Sequence, residues 1–220
     1  MKETGSTIKF QLNPEQEKAV FYPDGPLLVL AGAGSGKTRI LTCRIAALIS
    51  KGVPAFNLLG VTFTNKAAEE MKFRVSQWIR QEVWISTFHS TCLRILKMDG
   101  VGIGLKRNFS IYDDRDQLVL IKECLNELNL NERQIHPKGV REEIQRAKDF
   151  LLTPEAYAER AAESFEDVTA KVYDLYERKL NALNACDFGD LIMKVVFLLD
   201  RNPKILEAWQ ERFKHILIDE

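Results

Sequence analysis

The 220-residue chain has no excess of charge of either sign: 31 basic and 31 acidic side chains cancel to zero. A global electrostatic pull towards nucleic acid is thereby excluded, and any such binding must come from local patches. The four cysteines, Cys43, Cys92, Cys124 and Cys186, contain no C-x-x-C pair, and the three histidines are equally scattered. That spacing argues against zinc and fits buried thiols in a reducing compartment. The opening MKETGSTIKFQLN lacks the apolar core of a secretory signal. No apolar run approaches the roughly 18 residues a membrane span needs. Internal repeats and low-complexity tracts are missing as well. These absences leave a cytoplasmic globular protein as the expectation, in keeping with 45% hydrophobic and 28% charged residues. The length allows one large domain or two small ones.

What is present is ordered along the chain. Asn13-Pro14-Glu15-Gln16 reads as a helix start, with Asn as cap, Pro in the first turn and Gln16 able to reach back. Leu27 to Leu30 reads as a buried strand, followed by a glycine loop and a helix from about Lys37 to Ser50. A second unit repeats this order: Leu58 to Phe63 as strand, then Asn65 capping a helix to about Arg80. Val83 to Ser86 is a third short strand, followed by a helix from Phe88 to about Met98. Strands alternating with helices imply a parallel α/β sheet.

After Gly100-Val101-Gly102-Ile103-Gly104 the periodicity becomes helical throughout. Leu118, Ile121, Leu125 and Leu128 share one face, as do Val172, Leu175, Tyr176, Leu180 and Leu183. The expectation is an all-helical module. The α/β pattern returns with a helix from Asn202-Pro203 carrying Ile205, Trp209 and Phe213, and with an Ile216-Leu217-Ile218 strand running into Asp219-Glu220. A late α/β strand after a helical interval implies one domain inserted into another. Between Glu132 and Lys148, five basic residues (Arg133, Lys138, Arg141, Arg146, Lys148) meet three acids. This run is either a solvated helix face or a basic edge facing duplex.

The stretch AGAGSGKTR, Ala31 to Arg39, has the composition of a loop that wraps phosphate. Such a loop needs small residues because its backbone N–H groups must turn inward and approach the oxygens closely. Gly32, Gly34 and Gly36 supply that freedom among Ala31, Ala33 and Ser35. Lys37 would reach the β- and γ-phosphates, the Thr38 hydroxyl would hold Mg²⁺, and the following helix adds its N-terminal partial charge. Ala31 stands where glycine is usual. The other end of such a site is an acidic pair after a buried strand. Asp219 fits as the Mg²⁺ partner and Glu220 as the residue orienting or deprotonating the attacking water.

Five segments occur in order and at suitable spacing: Leu12 to Gln16, the AGAGSGKTR loop, Val61-Thr62-Phe63-Thr64-Asn65-Lys66-Ala67-Ala68, Ile85-Ser86-Thr87-Phe88-His89-Ser90, and Ile218-Asp219-Glu220. Together they resemble the UvrD/Rep/PcrA helicases of superfamily one, over essentially the whole chain. The resemblance implies that Gln16 reads the adenine edge of ATP and that Arg39 flanks the nucleotide. It implies single-strand contacts from Phe63, by stacking, and from Thr64 and Asn65, to phosphate or sugar. Thr87 and His89 would add a further strand contact. Phe63 could instead be core, and His89 could cap or pack locally. Asp187-Phe188-Gly189-Asp190-Leu191 is similar to another family motif, with Gly189 where an acid is usual.

The architecture implied is a RecA-like motor domain over residues 1–106 and 200–220, interrupted by a helical insertion over 107–199. Family members continue into a second RecA-like domain whose arginines stabilise charge on the transferring phosphoryl group, an effect worth about 10³ to 10⁵ in rate. The chain is therefore expected to be a piece of a longer ATP-dependent DNA helicase that moves 3′ to 5′ on single strands and acts at single-strand/duplex junctions. By itself it would bind nucleotide weakly and hydrolyse it poorly. Two other classes stay open: a non-catalytic module binding single-stranded nucleic acid or a protein partner, and a phosphate-loop ATPase without DNA.

Overall fold

The structure is a computed structural model that describes residues 10–32, 34–130, 135–161 and 164–219. Ala33 and Glu220, both assigned to the site above, and Arg133 of the basic run lie outside the described residues. In chain order the elements are α1 (Pro14–Val20), α2 (Lys37–Ser50), β1 (Leu58–Thr62), α3 (Asn65–Ser76), β2 (Trp84–Thr87), α4 (Phe88–Asp99), β3 (Ser110–Tyr112), α5 (Asp114–Glu127), α6 (Pro137–Asp149), α7 (Pro154–Ala158), α8 (Ser164–Ala182), β4 (Ala185–Asp187), α9 (Phe188–Arg201), α10 (Pro203–Arg212) and β5 (His215–Asp219). The class is mixed α/β with parallel sheets, and the chain divides into two compact units.

The first unit comprises Met1–Thr91 and Leu206–Glu220. Its sheet runs in the order β2-β1-β5, with every pairing parallel. β1 is buried along its whole length, as a parallel strand covered on both faces must be. Ile45, Ala46 and Leu48 of α2 and Ala68, Met71 and Val75 of α3 pack with Leu58, Ile85 and Leu217 of the strands. Gly60 permits this fit, since a Cβ there would sit 3.0 Å from Ile85 Cγ1 and 3.3 Å from Met71 Sδ. The entry to β5 is held by a polar cap and an aromatic cluster. Asn57 Nδ2 donates to the carbonyl of Arg212 at 2.8 Å. The Arg212 guanidinium lies over the rings of Trp84, Trp209 and Phe213, at 5.1, 5.4 and 5.4 Å from their centroids.

One expected strand of this unit is not formed. Leu27 to Leu30 has the composition of a buried strand but pairs with no other among the described residues, and Leu28 and Leu30 are 81% and 86% exposed. A strand exists only through its ladder partner, and here the outer edge of β5 is separated from the segment by a cavity. The helix after β1 also starts differently from the expectation. Thr64, in extended backbone at φ −114°, is the cap and accepts from the Ala67 N–H at 3.1 Å, while Asn65 is already helical.

The second unit is Cys92–Ile205. Leu120, Ile121, Cys124 and Leu125 of α5, Val140, Ile144 and Ala147 of α6, and Val172, Tyr173, Tyr176 and Leu180 of α8 form its core. Leu183 lies one residue past the end of α8 and is exposed. The unit is not helical throughout, because β3 pairs in parallel with β4 from Ser110↔Ala185 to Tyr112↔Asp187. Runs of three residues carry too little periodicity to be read locally, and this ladder joins positions 75 apart.

Lys148 is buried in this unit, its ammonium 2.5 Å from Glu177, 2.7 Å from Asp187 and 2.9 Å from Asp190. Asp187 caps α9 and forms a reciprocal capping box with Asp190, and the Tyr176 hydroxyl donates to Asp187 at 3.0 Å. Gly189 leaves room for the lysine stem, since a Cβ there would meet Gln145 Nε2 at 3.0 Å and Lys148 Cδ at 3.1 Å. Burial by itself would lower the Lys148 pKa, but Asp190, Glu177 and Asp187 outweigh it and hold the group well above its ordinary value. Of the basic run considered for α6, three members are engaged within this unit. Lys148 is internal, Arg141 pairs with Asp114 at 3.1 Å, and Arg146 pairs with Glu143.

Candidate nucleotide and nucleic-acid site

The register of the parallel sheet sets the site. Thr62, the last residue of β1, pairs with Thr87 of β2 on one side and with Asp219 of β5 on the other. These three residues form a row across the carboxyl ends of the strands, about 10 Å wide at the usual strand spacing. Ligands of open parallel sheets bind beyond these ends. Phe63 and Thr64 follow Thr62 directly, and Phe88 and His89 follow Thr87. Sequence-distant candidates are thereby brought to one edge.

The phosphate-type loop meets this row through a hydrogen bond at the head of α2. Thr38, the second residue of α2, donates its hydroxyl to Asp219 Oδ2 at 2.6 Å across 181 positions of sequence. Gly34 and Gly36 take φ of +77° and +90°, where a side chain is disfavoured, whereas Gly32 does not. Gly36 is constrained twice, because a Cβ there would lie 3.1 Å from Gln16 Nε2. Ser35 closes the turn through its N–H and hydroxyl, both donated to the Gly32 carbonyl, at 3.3 and 2.8 Å. The Lys37 ammonium donates to the carbonyls of Ala31 and Gly32 at 3.0 and 3.1 Å, so it is held over the mouth of its own loop.

Gln16 is fastened beside the loop. Its Oε1 accepts from the Asn13 N–H at 3.1 Å in a capping box, and its Nε2 donates to the Ser35 carbonyl at 3.0 Å. Among the described residues these two bonds use one N–H and one lone pair of the amide, leaving the second of each for a ligand edge. The Arg39 guanidinium donates to the carbonyl of Gln11 at 2.5 Å, tying α2 to the segment before α1. Arg44 was not found by sequence reasoning. Its guanidinium donates to the carbonyls of Ala19, Val20 and Tyr22 at 3.1, 3.2 and 2.9 Å, closing the end of α1 and holding that helix against α2. An arginine two turns inside an amphipathic helix carries no local sign of that task.

Among the nucleic-acid candidates, Phe63 is 73% exposed, so it is a surface aromatic and not core. Asn65 is exposed, and the Thr64 hydroxyl is engaged as a helix cap. Thr87 is buried at 6%, where its Oγ1 accepts from the Ser90 N–H at 3.2 Å and donates to Ser90 Oγ at 2.9 Å. In this geometry Thr87 starts α4 rather than presenting a hydroxyl to solvent. His89 is half-buried. Of the cysteines, Cys43, Cys124 and Cys186 are buried and Cys92 is half-buried.

No helix among the described residues is long and apolar enough to cross a membrane. The family model described as the UvrD/REP helicase N-terminal domain matches residues 12–220. A protein of Bacillus subtilis (strain 168) named ATP-dependent DNA helicase PcrA is 48% identical over 213 residues, which is 95% of this chain and 29% of that protein. Proteins of the same name from Staphylococcus epidermidis and Staphylococcus aureus are 45% and 44% identical over the same shares. The chain thus spans less than a third of the length of these curated relatives. With a match that runs through the loop, the Phe63 segment and the Asp219 strand, this chain belongs to the UvrD/REP helicase family and corresponds to its N-terminal domain.

Proposed function

We propose that the chain is the ATP-binding part of an ATP-dependent DNA helicase that translocates on single-stranded DNA in the 3′ to 5′ direction. The observation that carries this reading is the 2.6 Å hydrogen bond from Thr38 to Asp219 at the edge of the Thr87-Thr62-Asp219 row. It joins the glycine loop to the carboxylate strand, as a nucleotide triphosphate site requires. Lys37 would leave the Ala31 and Gly32 carbonyls for the phosphates, Gln16 would offer its amide to the base, and Arg39 would flank the nucleotide. Ala31, Gly32, Ala33, Gly34, Ser35 and Gly36 would wrap the phosphates.

A hydroxyl and a carboxylate are hard oxygen donors, so Thr38 and Asp219 fit Mg²⁺. When bound, that ion supplies charge neutralisation on the phosphate oxygens. Glu220 would act on the attacking water. Single-strand contact falls to exposed Phe63 with Thr64 and Asn65, with a further contact at the end of β2 and the start of α4 from Thr87 and His89. The domain reading is a RecA-like motor over 1–106 and 200–220 with a mainly helical insertion over 107–199. A second motor domain and a single-strand/duplex junction are the partners expected of the whole protein, acting in the cytoplasm.

The test is a titration of the 220-residue chain with a fluorescent ATP analogue and Mg²⁺, with and without labelled single-stranded DNA. Binding lost in Lys37→Ala and coupling between the two ligands support a motor fragment. Strand binding indifferent to nucleotide would make the chain a module, and no strand binding would leave an ATPase without DNA. Rapid turnover by the fragment alone would overturn the dependence on a second domain.

A further inference from the structure

β2 passes into α4 without an intervening residue, since the strand ends at Thr87 and the helix begins at Phe88. Successive side chains of a strand point to opposite faces, so Ser86 and Thr87 leave it on different sides. Each meets the start of α4. Thr87 is joined to Ser90 through both its hydroxyl and the Ser90 N–H. On the other face Ser86 Oγ lies 2.7 Å from Thr91 Oγ1, the usual separation of two hydroxyls that share one hydrogen. Thr91 is buried, at 6% exposed, and takes no part in the site described above. The serine is itself held from behind. Trp84, two residues earlier on the same face, donates its indole N–H to Ser86 Oγ at 3.1 Å. The Trp84 ring is fixed in turn by Phe213 and Trp209, whose centroids lie 5.2 and 5.9 Å away, and by the Arg212 guanidinium. All of these residues belong to the first unit.

We propose that Ser86 and Thr91 are positioning residues for the single-strand contact at Thr87 and His89, with Trp84 anchoring the pair. This inference rests on the strand-contact reading given above. A helix that follows a strand with no linker can still swing about the dihedrals of the junction. One side-chain bracket leaves rotation about its own line, and a second on the opposite face of the strand removes it. Phe88 and His89 are the two residues enclosed by both brackets, 87 to 90 and 86 to 91. The direction in which α4 leaves the sheet, and with it the place of the His89 ring beside the Thr87-Thr62-Asp219 row, is therefore set by the hydroxyl pair.

The residue types favour orientation over mere burial. Covering the inner side of a helix start needs only an apolar side chain of valine's size, whereas a buried hydroxyl is favourable only where a partner answers it. A fully partnered buried polar pair selects one geometry, which apolar contact does not. Contacts to phosphate or sugar weaken steeply once a donor is misdirected, so a small swing of α4 would be felt at the strand.

Two substitutions separate the hydroxyl from the methyl of Thr91. Thr91→Val keeps the shape and removes the hydroxyl, while Thr91→Ser keeps the hydroxyl and removes the methyl. The 220-residue chain and both variants are titrated with a fluorescently labelled oligothymidine strand. Strand affinity should fall about fivefold in Thr91→Val, the worth of one net hydrogen bond, and stay within about twofold in Thr91→Ser. The reverse order would assign Thr91 to packing and overturn the proposal. Affinity for a fluorescent ATP analogue should stay within about twofold in both variants. A parallel loss of it would assign Thr91 to the stability of the whole sheet and overturn a role at the strand contact. The indole N–H resonance of Trp84, assigned through Trp84→Phe, should shift when the strand is added to the unsubstituted chain; a resonance indifferent to the strand would overturn the anchor. Equal strand affinities of all three proteins would overturn the proposal alone. Absence of strand binding by the unsubstituted chain would overturn the strand-contact reading, and the proposal with it.

Discussion

Replacing Lys148 by methionine removes a cation that touches all three carboxylates of its cluster. In the native protein two lysines, Lys148 and Lys194, face Glu177, Asp187 and Asp190, a local balance of −1. Without Lys148 the balance is −2, and the remaining Lys194 lies 3.4 Å from Asp190 and 3.7 Å from Glu177. Removing one member of a buried ion cluster leaves uncompensated charge and costs about 3–5 kcal/mol, far more than the intact cluster contributes against an apolar substitute. The cation–π contacts to Tyr173 and Tyr176, at 5.9 and 5.3 Å, are lost as well.

The cost should depend on pH with a definite sign. In the wild type, burial raises the Asp190 pKa, but Lys148 and Lys194 outweigh it and hold the group below the usual carboxylate range. Its stabilisation is present above the unfolded pKa and is lost only as pH falls through the lower folded value. In Lys148→Met, Asp190 keeps its burial but loses that cation, so its folded pKa rises, and Glu177, which burial already holds above the usual carboxylate range, rises further. The variant is then penalised at neutral pH and relieved as pH falls. Trp78, Trp84 and Trp209 all belong to the first unit. Urea unfolding should therefore be followed by far-UV circular dichroism, with amide exchange in α8 as the local readout. A deficit of about 3–5 kcal/mol at pH 7.5 that narrows at pH 5.5 is expected. A deficit under about 1 kcal/mol, or one that widens on acidification, would refute the reasoning.

Gly36→Ala should destabilise the first unit by about 1–2 kcal/mol through its left-handed backbone, and should displace Gln16; unchanged urea midpoint and nucleotide affinity would contradict both constraints. Thr64→Ala should cost about 1 kcal/mol as a lost cap, whereas Phe63→Ala should change stability by less than about 0.5 kcal/mol and weaken single-strand binding. A Phe63→Ala protein that binds labelled strand normally would remove Phe63 from the interface. Asn57→Ala should cost about 1 kcal/mol and speed amide exchange in β5, since its amide caps α10 where the chain enters that strand. Burial pushes the thiols of Cys92 and Cys124 up to about 11 and that of Cys186 up to about 12. Alkylation at pH 8, read by mass spectrometry, should thus be slow until denaturant is added; rapid native labelling of these three would show them exposed.

Much of the site could be read locally because its determinants are local. The Asn13–Gln16 capping box and the start of α2 at Lys37 depend on side chains within one helical turn, and both occur where the pattern puts them. The glycines show the limit of that reading, since three look equivalent in sequence but only Gly34 and Gly36 adopt the left-handed backbone. Thr64 and Asn65 differ by one step of register at a helix start, which composition alone does not resolve.

From its order of residues alone, the chain determines that small residues, a lysine and a hydroxyl follow one another at the head of a helix, and that an apolar strand ends in a carboxylate. Tertiary structure decided the rest: that Thr38 meets Asp219, that Thr62 lines up with Thr87, that Lys148 is an internal counter-ion, and that Leu27–Leu30 remains without a ladder. The physical reason is common to all four. A cap or a turn is satisfied by neighbours in sequence, whereas a strand, a buried charge and a row across a sheet exist only through partners that folding brings from far along the chain.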